Sequence, residues 1–464
     1  MKFLSKLGFV AMSASALLGL GACGGKKDAA PAADNGALSV SYASIQLGST
    51  DTDLSANIKL LTHRTDMKQD DYPGKSWNDY LAEFNKLYPN IKIEIEGITD
   101  YASTALLRLT GGGGWGDIMM IPAVDKKDLG TYFMPYGSLD EMLKIVRFAD
   151  QWMYGNQVYG IPSTGNAQGV LYNKKVFEKA GITVLPKTPD EFIAALRKVK
   201  QNTNAIPLYT NYAAGWTMGA WDAYLGGSAT GSADFMNNTL VHSKNPFANP
   251  GNGTGPYNVY KVLYDAVAAG LIENDYTTTD WEGCKGMINR GEIGTMVLGS
   301  WAYTQMQDAG PNPQDIGYMA FPITVNGRQY ASAGPDYNFG INVKSSSKNK
   351  EAALIFVKWM TERSGFAYNE GGIPIAVSNT DYPPLYAAFD GVDFVADNPS
   401  PAGEEDLKSK LDADSELNIN NGGNLKVQQI IEHAANKDMS FDDIMASWNK
   451  AWSEAQKRNN VEVK

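Results

Sequence analysis

The sequence is poor in the residues that most enzymes use for nucleophilic or metal chemistry. Among 464 residues there are two cysteines and three histidines, at His63, His242 and His433. No serine stands in a Gly-x-Ser-x-Gly pattern, no Gly-x-x-x-x-Gly-Lys-Ser/Thr pattern occurs, and no zinc ligands cluster in the sequence. These absences argue against a nucleophilic hydrolase, a nucleotide-binding protein and a zinc enzyme. We therefore expect no cofactor and assign no catalytic or metal-binding residues.

Long runs of basic residues are also missing. The chain has 40 Lys and Arg against 51 Asp and Glu, which gives a net charge of −11, so we expect no nucleic-acid partner. Hydrophobic residues make up 43% of the chain, an ordinary fraction for a globular protein. The length is sufficient for two or three domains, or for two lobes that share one fold.

The first 22 residues have the pattern of a secretory signal, with lysines at positions 2 and 6 before an apolar run from Leu7 to Leu20. That run is shorter than the ~20 residues of a membrane span, which disfavours an uncleaved anchor helix. Leu20-Gly-Ala-Cys23 resembles the bacterial lipobox, which implies that Cys23 is lipidated and becomes the mature N-terminus. We predict an extracytoplasmic, membrane-anchored lipoprotein, with residues 23–55 as lipid attachment and flexible tether.

Glycines at positions 111, 113 and 116, within TGGGGWGDIMMIP, have the spacing of a dinucleotide-binding loop. Such a loop needs a strand before the glycines and a helix after them, so that pyrophosphate meets the helix N-terminus. Here residues 101–110 have a helical pattern and residues 117–121 a strand pattern, so the order is reversed. The glycines therefore predict a helix C-cap and a turn into a strand, not a nucleotide site.

Strand and helix patterns alternate after the tether. A strand over 55–62, a helix over 77–88 and a strand over 91–96 predict a β-α-β opening. The continued alternation predicts an open α/β sheet with ligands near the strand ends. Further amphipathic helices are predicted over residues 189–200, 350–361 and 441–458.

Local patterns give three further predictions about core and surface. Ile444, Trp448 and Trp452 share one stripe of the last helix and are expected in the core. Cys284 has no disulfide partner if Cys23 is lipidated, so we expect a buried thiol. Asp412–Glu416 carries alternating carboxylates but lacks the glycine of a calcium loop, and is predicted to be a solvated loop.

Four segments, in order and well spaced, carry a family resemblance. They are Tyr159–Pro162 with Leu171–Gly181 and Thr188–Phe192; Gly291–Trp301; Gly340–Lys344 with Asn349–Ala353; and Gly371–Pro374. In combination they resemble the signatures of extracellular solute-binding proteins of the carbohydrate ABC-importer type. The resemblance spans residues 56 to 460.

This resemblance implies an α/β, two-lobed fold like that of type II periplasmic binding proteins. Three hinge crossings would join the lobes, with the ligand cleft between them. Residues 56–163 plus 338–372 would form lobe 1, and residues 164–337 plus 373–464 would form lobe 2. The family implies binding and closure without covalent chemistry.

The resemblance also assigns two tryptophans to the cleft. Sugars present apolar C–H faces and rings of hydroxyls, so a site for them needs aromatic platforms and planar polar groups. Trp301 follows an apolar strand and matches the family's cleft tryptophan, and Trp216, in a loop of small residues, resembles the cleft aromatic of the second lobe. A place in the hydrophobic core is the alternative for both rings.

Three charged residues follow predicted strands at their carboxyl ends, where open α/β sheets bind ligands. Arg64 and Asp66 come directly after the first strand and are candidates for hydroxyl or carboxylate contacts. A solvated salt bridge between them is the alternative. Asp125 lies just past the DIMMI strand and matches a ligand position of the family, with a helix N-cap as its alternative.

Four residues on the predicted crossings complete the candidate site. Asn166 stands on the first crossing, where relatives carry an acidic cleft residue, so ligand identity is left open. Asp336, Tyr337 and Asn338 flank the second crossing, and a role in the turn is equally consistent with their sequence.

We therefore predict the lipid-anchored binding component of an ABC importer, which captures a mono- or oligosaccharide and delivers it to a permease and its ATPase, acting as a monomer. A single Arg binds either a hydroxyl pair or a carboxylate, so neutral and acidic sugars both fit the sequence. The alternatives are a tethered glycoside hydrolase, which would also line its cleft with Trp and carboxylates, and a sensory or adhesive lipoprotein.

Overall fold

The computed structural model describes residues 38–69, 72, 74–99, 101–112, 114–419 and 424–464. The predicted signal and Cys23 lie outside the described residues. Within the described ranges, no helix combines the length and the apolar composition needed to cross a bilayer.

Strands and helices of the described chain alternate through two lobes. The strands are β1 (Ala56–Thr62), β2 (Ile91–Gly97), β3 (Ile118–Met120), β4 (Gly137–Ser138), β5 (Met153–Tyr154), β6 (Gln157–Val158), β7 (Ile161–Pro162), β8 (Gly165–Asn173), β9 (Ile206–Leu208), β10 (Ile293–Gly299), β11 (Ile316–Ala320), β12 (Thr324–Val325), β13 (Arg328–Pro335), β14 (Asn338–Ile341) and β15 (Asp393–Val395). The α-helices are α1 (Trp77–Leu87), α2 (Tyr101–Thr110), α3 (Leu129–Tyr132), α4 (Leu139–Met142), α5 (Lys174–Lys179), α6 (Pro189–Asn202), α7 (Trp216–Gly219), α8 (Gly227–Thr230), α9 (Leu240–His242), α10 (Gly255–Ala268), α11 (Trp281–Asn289), α12 (Ala302–Asp308), α13 (Ser347–Glu362), α14 (Phe366–Asn369), α15 (Leu407–Ser415), α16 (Asn424–Asn436) and α17 (Phe441–Arg458).

The first lobe is built on a five-stranded sheet in the order β2-β1-β3-β14-β7. β1 pairs in parallel with β2 and β3, and β14 pairs antiparallel with β3. The helix α1 covers the sheet with Trp77, Tyr80 and Phe84, which are all buried. These pairings confirm the predicted β-α-β opening, because a parallel pair needs a crossover helix between its strands.

The glycine stretch connects α2 to β3, as predicted from the reversed order of elements. Gly116 has a φ of 91°, and a Cβ at this position would lie 2.8 Å from the carbonyl oxygen of Lys59. Glycine is required here both by the left-handed backbone and by the close approach of β1. The stretch is therefore a turn between a helix and a strand.

Residues 38–55 pack on the first lobe, although the sequence analysis assigned them to a flexible tether. Tyr42 and Ile45 are buried in the same core as β1 and β2. The Tyr42 hydroxyl lies 2.7 Å from the Thr361 hydroxyl, and the Lys358 ammonium lies 4.6 Å from the centre of the Tyr42 ring. The tether therefore ends before residue 55. Leu38, Val40 and Tyr42 alternate with polar residues, but so short a pattern does not show that the rest of the chain covers it.

The second lobe contains a seven-stranded sheet in the order β12-β13-β8-β10-β9, with β11 also paired to β8 and β15 to β13. The tail helix α17 closes its core with Ile444, Trp448 and Trp452, which are at most 5% exposed. This confirms the predicted stripe. Cys284 is a buried free thiol, as expected, and burial raises its pKa to about 12.

The prediction of a solvated loop at Asp412–Glu416 is wrong. Most of the segment belongs to α15, which packs against α17 and buries the Asp412 side chain completely. The backbone N–H of Ile419 donates to Asp412 Oδ1 over 3.1 Å, and burial raises the pKa of this carboxyl to about 6. Alternating carboxylates are typical of a solvated segment, and the sequence did not reveal that the tail helix covers this one.

Two segments cross between the lobes side by side. The first crosses between β7 and β8, and the second between β13 and β14. Ser163 N donates to Tyr337 O over 3.0 Å, and Asp336 N donates to Thr164 O over 2.8 Å. Each crossing therefore supports the other through backbone hydrogen bonds at the point where the chain changes lobe.

The third crossing runs beside the first. Gly165 and Ile373 exchange backbone hydrogen bonds of 3.0 and 2.6 Å. Ile375 then packs in the core of the first lobe, and Ala376 forms a β-bridge with Val146 of that lobe. The predicted start of lobe 2 at residue 373 is therefore too early, because the chain touches the first lobe again before it leaves.

Candidate functional site

A cleft of about 910 Å³ lies between the two lobes, next to the crossings. The first lobe supplies the segment after β1, where the strand ends. The second lobe supplies the segment after β10, the first turn of α11 and one face of α12. The side chains that define the site are His63, Arg64, Asp66, Tyr72, Tyr337 and Glu370 on one wall, Trp281, Glu282, Lys285, Trp301 and Asp308 on the other, and Asn166 and Asp336 at the base.

Three tryptophans form a cluster on the wall of the second lobe. Trp301 follows β10 directly, and Trp281 opens α11, whose N-cap is Asp280. Their ring centres lie 5.8 Å apart. Trp216 opens α7 and contacts both, at 4.9 Å from Trp281 and 5.5 Å from Trp301. Aromatic rings in such tilted contact hold one another in place while leaving faces for a ligand.

Trp301 lines the cleft, whereas Trp216 is 43% exposed and stands behind the lining pair. Trp281 carries a cation on one side, because the Lys285 ammonium lies 5.0 Å from the centre of its ring. Lys285 also pairs with Glu282 at 2.8 Å. Neither Trp301 nor Trp216 therefore lies in the hydrophobic core, which was the alternative placement for both rings.

Charged side chains dominate the opposite wall. Arg64 donates from Nε and Nη2 to the carboxylate of Asp66, over 2.9 and 2.8 Å, and from Nη1 to Glu370 Oε2 over 2.6 Å. Its Nη2 also donates to the Tyr72 hydroxyl over 2.9 Å. These bonds hold the pKa of Asp66 below its usual value, although burial acts to raise it. The salt bridge that was the alternative to ligand contacts for Arg64 and Asp66 exists, and it lies in the cleft, where a contact with a ligand stays a prediction.

A histidine and a tyrosine form the rest of this wall. The rings of His63 and Tyr337 lie 4.4 Å apart at an interplanar angle of 32°. Tyr101 meets both rings edge-on, at 5.9 and 5.5 Å. Burial lowers the pKa of His63 and raises that of Tyr337, so both side chains are uncharged near neutral pH and give the wall an aromatic patch.

Asn166 joins the crossings to the tryptophan wall. Its Nδ2 donates to Asp336 Oδ2 over 3.0 Å, and its Oδ1 accepts from Ser300 Oγ over 3.2 Å. Ser300 in turn accepts from the Tyr386 hydroxyl over 3.0 Å and directly precedes Trp301. The amide of Asn166 is thus engaged by protein groups at both ends, which favours a positioning role.

Three of the predicted site residues lie away from the cleft lining, namely Trp216, Asp125 and Asn338. The carboxylate of Asp125 is 73% exposed and lies 3.4 Å from Lys127 Nζ. Asn338 is fully buried within β14, where its Nδ2 donates to Gln151 Oε1 and to the carbonyl of Asp336. Asp125 makes no side-chain capping bond at the short helical turn that follows it. The structure therefore gathers Trp301, Arg64, Asp66, Asn166, Asp336 and Tyr337 around the cleft, with Trp216 behind Trp301.

Sequence reasoning did not point to seven of the side chains that define the cleft: His63, Tyr72, Trp281, Glu282, Lys285, Asp308 and Glu370. Trp281 begins a helix, and its position after the N-cap Asp280 gave a usable signal of surface placement. His63 directly precedes Arg64 in the segment that follows β1, so its position gave the same signal as that of Arg64. Tyr72 and Glu370 carried no signal, because only the fold brings them to Arg64.

The site offers stacking faces on one side and hydrogen-bonding groups on the other. Such a combination binds a ligand that has apolar faces and many hydroxyls. Among the residues with described placement, no group of three or more His, Cys, Asp or Glu side chains is arranged to hold a metal ion.

Comparison with known families gives one match that covers more than half of the chain. A family model described as bacterial extracellular solute-binding protein matches residues 70–365. The matched range includes the first two crossings between the lobes and most of the residues of the cleft.

Solved structures resemble the chain over nearly its whole length. It is 50% identical to BlMnBP2, a manno-oligosaccharide specific solute binding protein from Bifidobacterium animalis subsp. lactis solved with mannotriose, with a TM-score of 0.86 over 91% of this chain and 99% of that one. It is 51% identical to BlMnBP1, a binding protein of an ABC transporter from the same organism solved with mannobiose, with the same coverage and TM-score. These likenesses confirm the predicted α/β fold of two lobes.

Among curated proteins, the multiple sugar-binding protein of Streptococcus mutans is 25% identical over 310 residues, which are 64% of this chain and 71% of the relative. This relative and the two structures are binding proteins by description.

Proposed function

The chain belongs to the bacterial extracellular solute-binding proteins, and we propose that it captures a carbohydrate for an ABC importer. The observation that carries this proposal is the cleft between the lobes, with tryptophans on one wall and a hydrogen-bonding network on the other. Its volume of about 910 Å³ falls within the roughly 300–1,000 Å³ typical of small-molecule sites.

The ligand that we propose is a short, neutral manno-oligosaccharide. The support is the identity of about half of all residues with BlMnBP2 and BlMnBP1, which were solved with mannotriose and mannobiose. The cleft volume of about 910 Å³ lies at the upper end of the range for small-molecule sites, which suits a ligand of more than one sugar unit. Sequence alone left the sugar and its length open.

Capture would work by stacking and closure. Trp301 and Trp281 offer apolar faces for sugar rings, and Trp216 supports both from behind. Arg64, Asp66 and Asp336 offer donors and acceptors for hydroxyls from the other side. Closure of the lobes about the crossings would bury the sugar and produce the shape that a permease recognises. No covalent step is part of this mechanism, and we propose that the protein is not an enzyme.

We further propose an extracytoplasmic, lipid-anchored monomer that delivers its sugar to a permease and its ATPase. The support for anchoring is the sequence Leu20-Gly-Ala-Cys23 after the signal pattern. Labelling with a radioactive fatty acid, lost in Cys23→Ser, tests this part.

The decisive experiment is a thermal-shift screen of the purified protein against manno-, gluco- and galacto-oligosaccharides and acidic saccharides, followed by calorimetry. A micromolar ligand at millimolar concentration should raise the free energy of unfolding by about 4 kcal/mol, with the sugar recovered intact after hours. Shortened sugars would instead indicate a glycoside hydrolase. The absence of a shift across the whole panel would contradict carbohydrate capture.

A further inference from the structure

The guanidinium of Arg64 is held from two separate elements of the first lobe. Asp66 lies two residues along the same post-strand segment, whereas Glu370 follows α14 and directly precedes the third crossing. Glu370 Oε2 accepts from Arg64 Nη1 over 2.6 Å, and the Tyr72 hydroxyl bridges Arg64 and Glu370 over 2.9 and 3.2 Å. The side chains of Arg64 and Glu370 are only 19% and 11% exposed.

These hydrogen bonds occupy most of the N–H groups with which Arg64 could bind an anion. A guanidinium has five N–H groups. Within the described residues, four of those of Arg64 point at Asp66, Glu370 and Tyr72. At most one N–H is left for a ligand, which suffices for a hydroxyl but not for the two parallel bonds of an arginine–carboxylate pair.

The charge of the cleft also disfavours a ligand with a carboxylate. Its lining contains five carboxyl groups, on Asp66, Glu282, Asp308, Asp336 and Glu370, and two side-chain cations, on Arg64 and Lys285. Lys285 is itself paired with Glu282. The remaining histidine has its pKa lowered by burial and adds no charge near neutral pH. An incoming carboxylate would therefore lose water and meet an excess of negative charge.

We propose that Glu370 is a specificity-determining residue that makes the cleft select neutral sugars over acidic ones. It does so by accepting from Nη1 of Arg64, whose Nε and Nη2 already donate to Asp66, and by repelling carboxylates. This inference rests on the proposed carbohydrate capture and adds the rule by which ligands are discriminated. Glu370, more than Asp66, has this role because the Asp66 side chain is 52% exposed, and water and salt screen an exposed charge more than a buried one.

The test compares two ligands of matched shape, mannotriose and the trisaccharide of mannuronic acid, in which each hydroxymethyl group is replaced by a carboxylate. Calorimetry at low salt should give the wild type an affinity for mannotriose at least about 100-fold above that for trimannuronate. Glu370→Gln keeps the shape of the side chain and removes its charge. It should reduce this ratio by about tenfold or more, mainly by improving binding of trimannuronate.

Two further variants separate selectivity from a merely structural effect. Glu370→Asp retains the charge and should retain the preference for mannotriose. Glu83→Gln removes an ion-paired carboxylate of the same lobe, 45% exposed and outside the cleft lining, and should leave the ratio within about twofold. Thermal unfolding checks that each variant is folded.

The outcomes distinguish this inference from the proposed function. If the wild type binds mannotriose and Glu370→Gln leaves the ratio unchanged, or weakens both ligands equally, selection by Glu370 is overturned while carbohydrate capture stands. A wild type that binds trimannuronate as well as mannotriose also overturns it. A wild type that binds no saccharide of any kind overturns the proposed function instead.

Discussion

The two walls of the cleft differ in how they are built. On the second lobe, Trp301, Trp281 and Trp216 contact one another through ring faces and edges. On the first lobe, Arg64 is fixed by charge-assisted hydrogen bonds to Asp66 and Glu370. The aromatic wall offers apolar contact area, and stacking on it does not require oriented hydrogen bonds. The charged wall fixes the direction of its hydrogen-bond donors and acceptors before any ligand binds.

This difference implies that the two walls contribute differently to ligand binding. Stacking on tryptophan contributes affinity for many sugars, because every pyranose ring has an apolar face. A fixed polar network contributes discrimination, because a ligand with the wrong charge or hydroxyl direction leaves buried groups unpaired. Substitutions on the two walls should therefore change different measured quantities.

The largest expected effect on binding comes from the aromatic wall. Trp301→Ala should weaken sugar binding by about 2 kcal/mol or more, about 30-fold, because it removes a central stacked ring. The melting temperature should change little, since the ring faces the cleft. Calorimetry measures the first quantity and thermal unfolding the second. Tyr154→Ala, at an exposed ring outside the cleft lining, is the matched control, and an equal loss in both variants would refute the assignment.

The charged wall should respond in stability as well as in binding. Arg64→Met keeps the apolar stem but leaves Glu370, 11% exposed, and Asp66 without their cation. We expect the free energy of unfolding to fall by about 2 kcal/mol, because a partly buried carboxylate then lacks a partner. Urea denaturation measures this. If stability is unchanged, the network is not fixed before ligand binding and the contrast between the walls is wrong. Adding Glu370→Gln to Arg64→Met should recover part of the loss.

A smaller effect is expected at the base, where the two walls meet. Asn166→Ala removes the amide that links Asp336 to Ser300. We expect affinity to fall about fivefold, or about 1 kcal/mol, the usual value of hydrogen bonds lost in this way. Small-angle scattering with and without sugar would show whether closure is also altered. A loss as large as that of Trp301→Ala would mean that Asn166 contacts the ligand directly.

The smallest effect is expected outside both walls. Asp125→Asn should change affinity by less than about 0.5 kcal/mol, because the carboxylate is 73% exposed and is absent from the lining of the cleft. Calorimetry with the same sugar provides the comparison. A clear loss of affinity would return Asp125 to the site and extend the charged wall past β3.

Periodicity predicted the elements of the fold well where apolar residues recur over several turns. α1, α6 and α17 lie where the sequence places them, since an amphipathic stripe must face a core. The reversed order of helix, glycines and strand at residues 101–121 was also readable from local chemistry. The packing of residues 38–55 on the first lobe and the burial of Asp412 could not be read from local chemistry, because both depend on contacts with distant helices.

The candidate site was predictable in proportion to how closely its residues follow a strand end. Arg64, Asp66 and Trp301 lie a few residues past the ends of β1 and β10, and all three line the cleft, while their role in binding stays a prediction. Asp125 also follows a strand, yet its side chain points to solvent. Strand position places the backbone near the cleft, but the orientation of the side chain depends on packing that no local pattern records.

The sequence by itself determined the alternation of strands and helices, because that pattern rests on residues that lie near one another in the chain. The crossings and the place of Trp301 in the cleft were implied by the resemblance of local motifs to a known family. Only the tertiary structure decided the partners of Arg64, since Glu370 is separated from it by 306 residues. An arginine binds whichever acceptors the fold brings within reach, and long-range contacts of this kind leave no local trace in the sequence. Whether this guanidinium serves a carboxylate ligand or its own protein therefore depends on the fold, which brings Glu370, after α14, to the segment that follows β1.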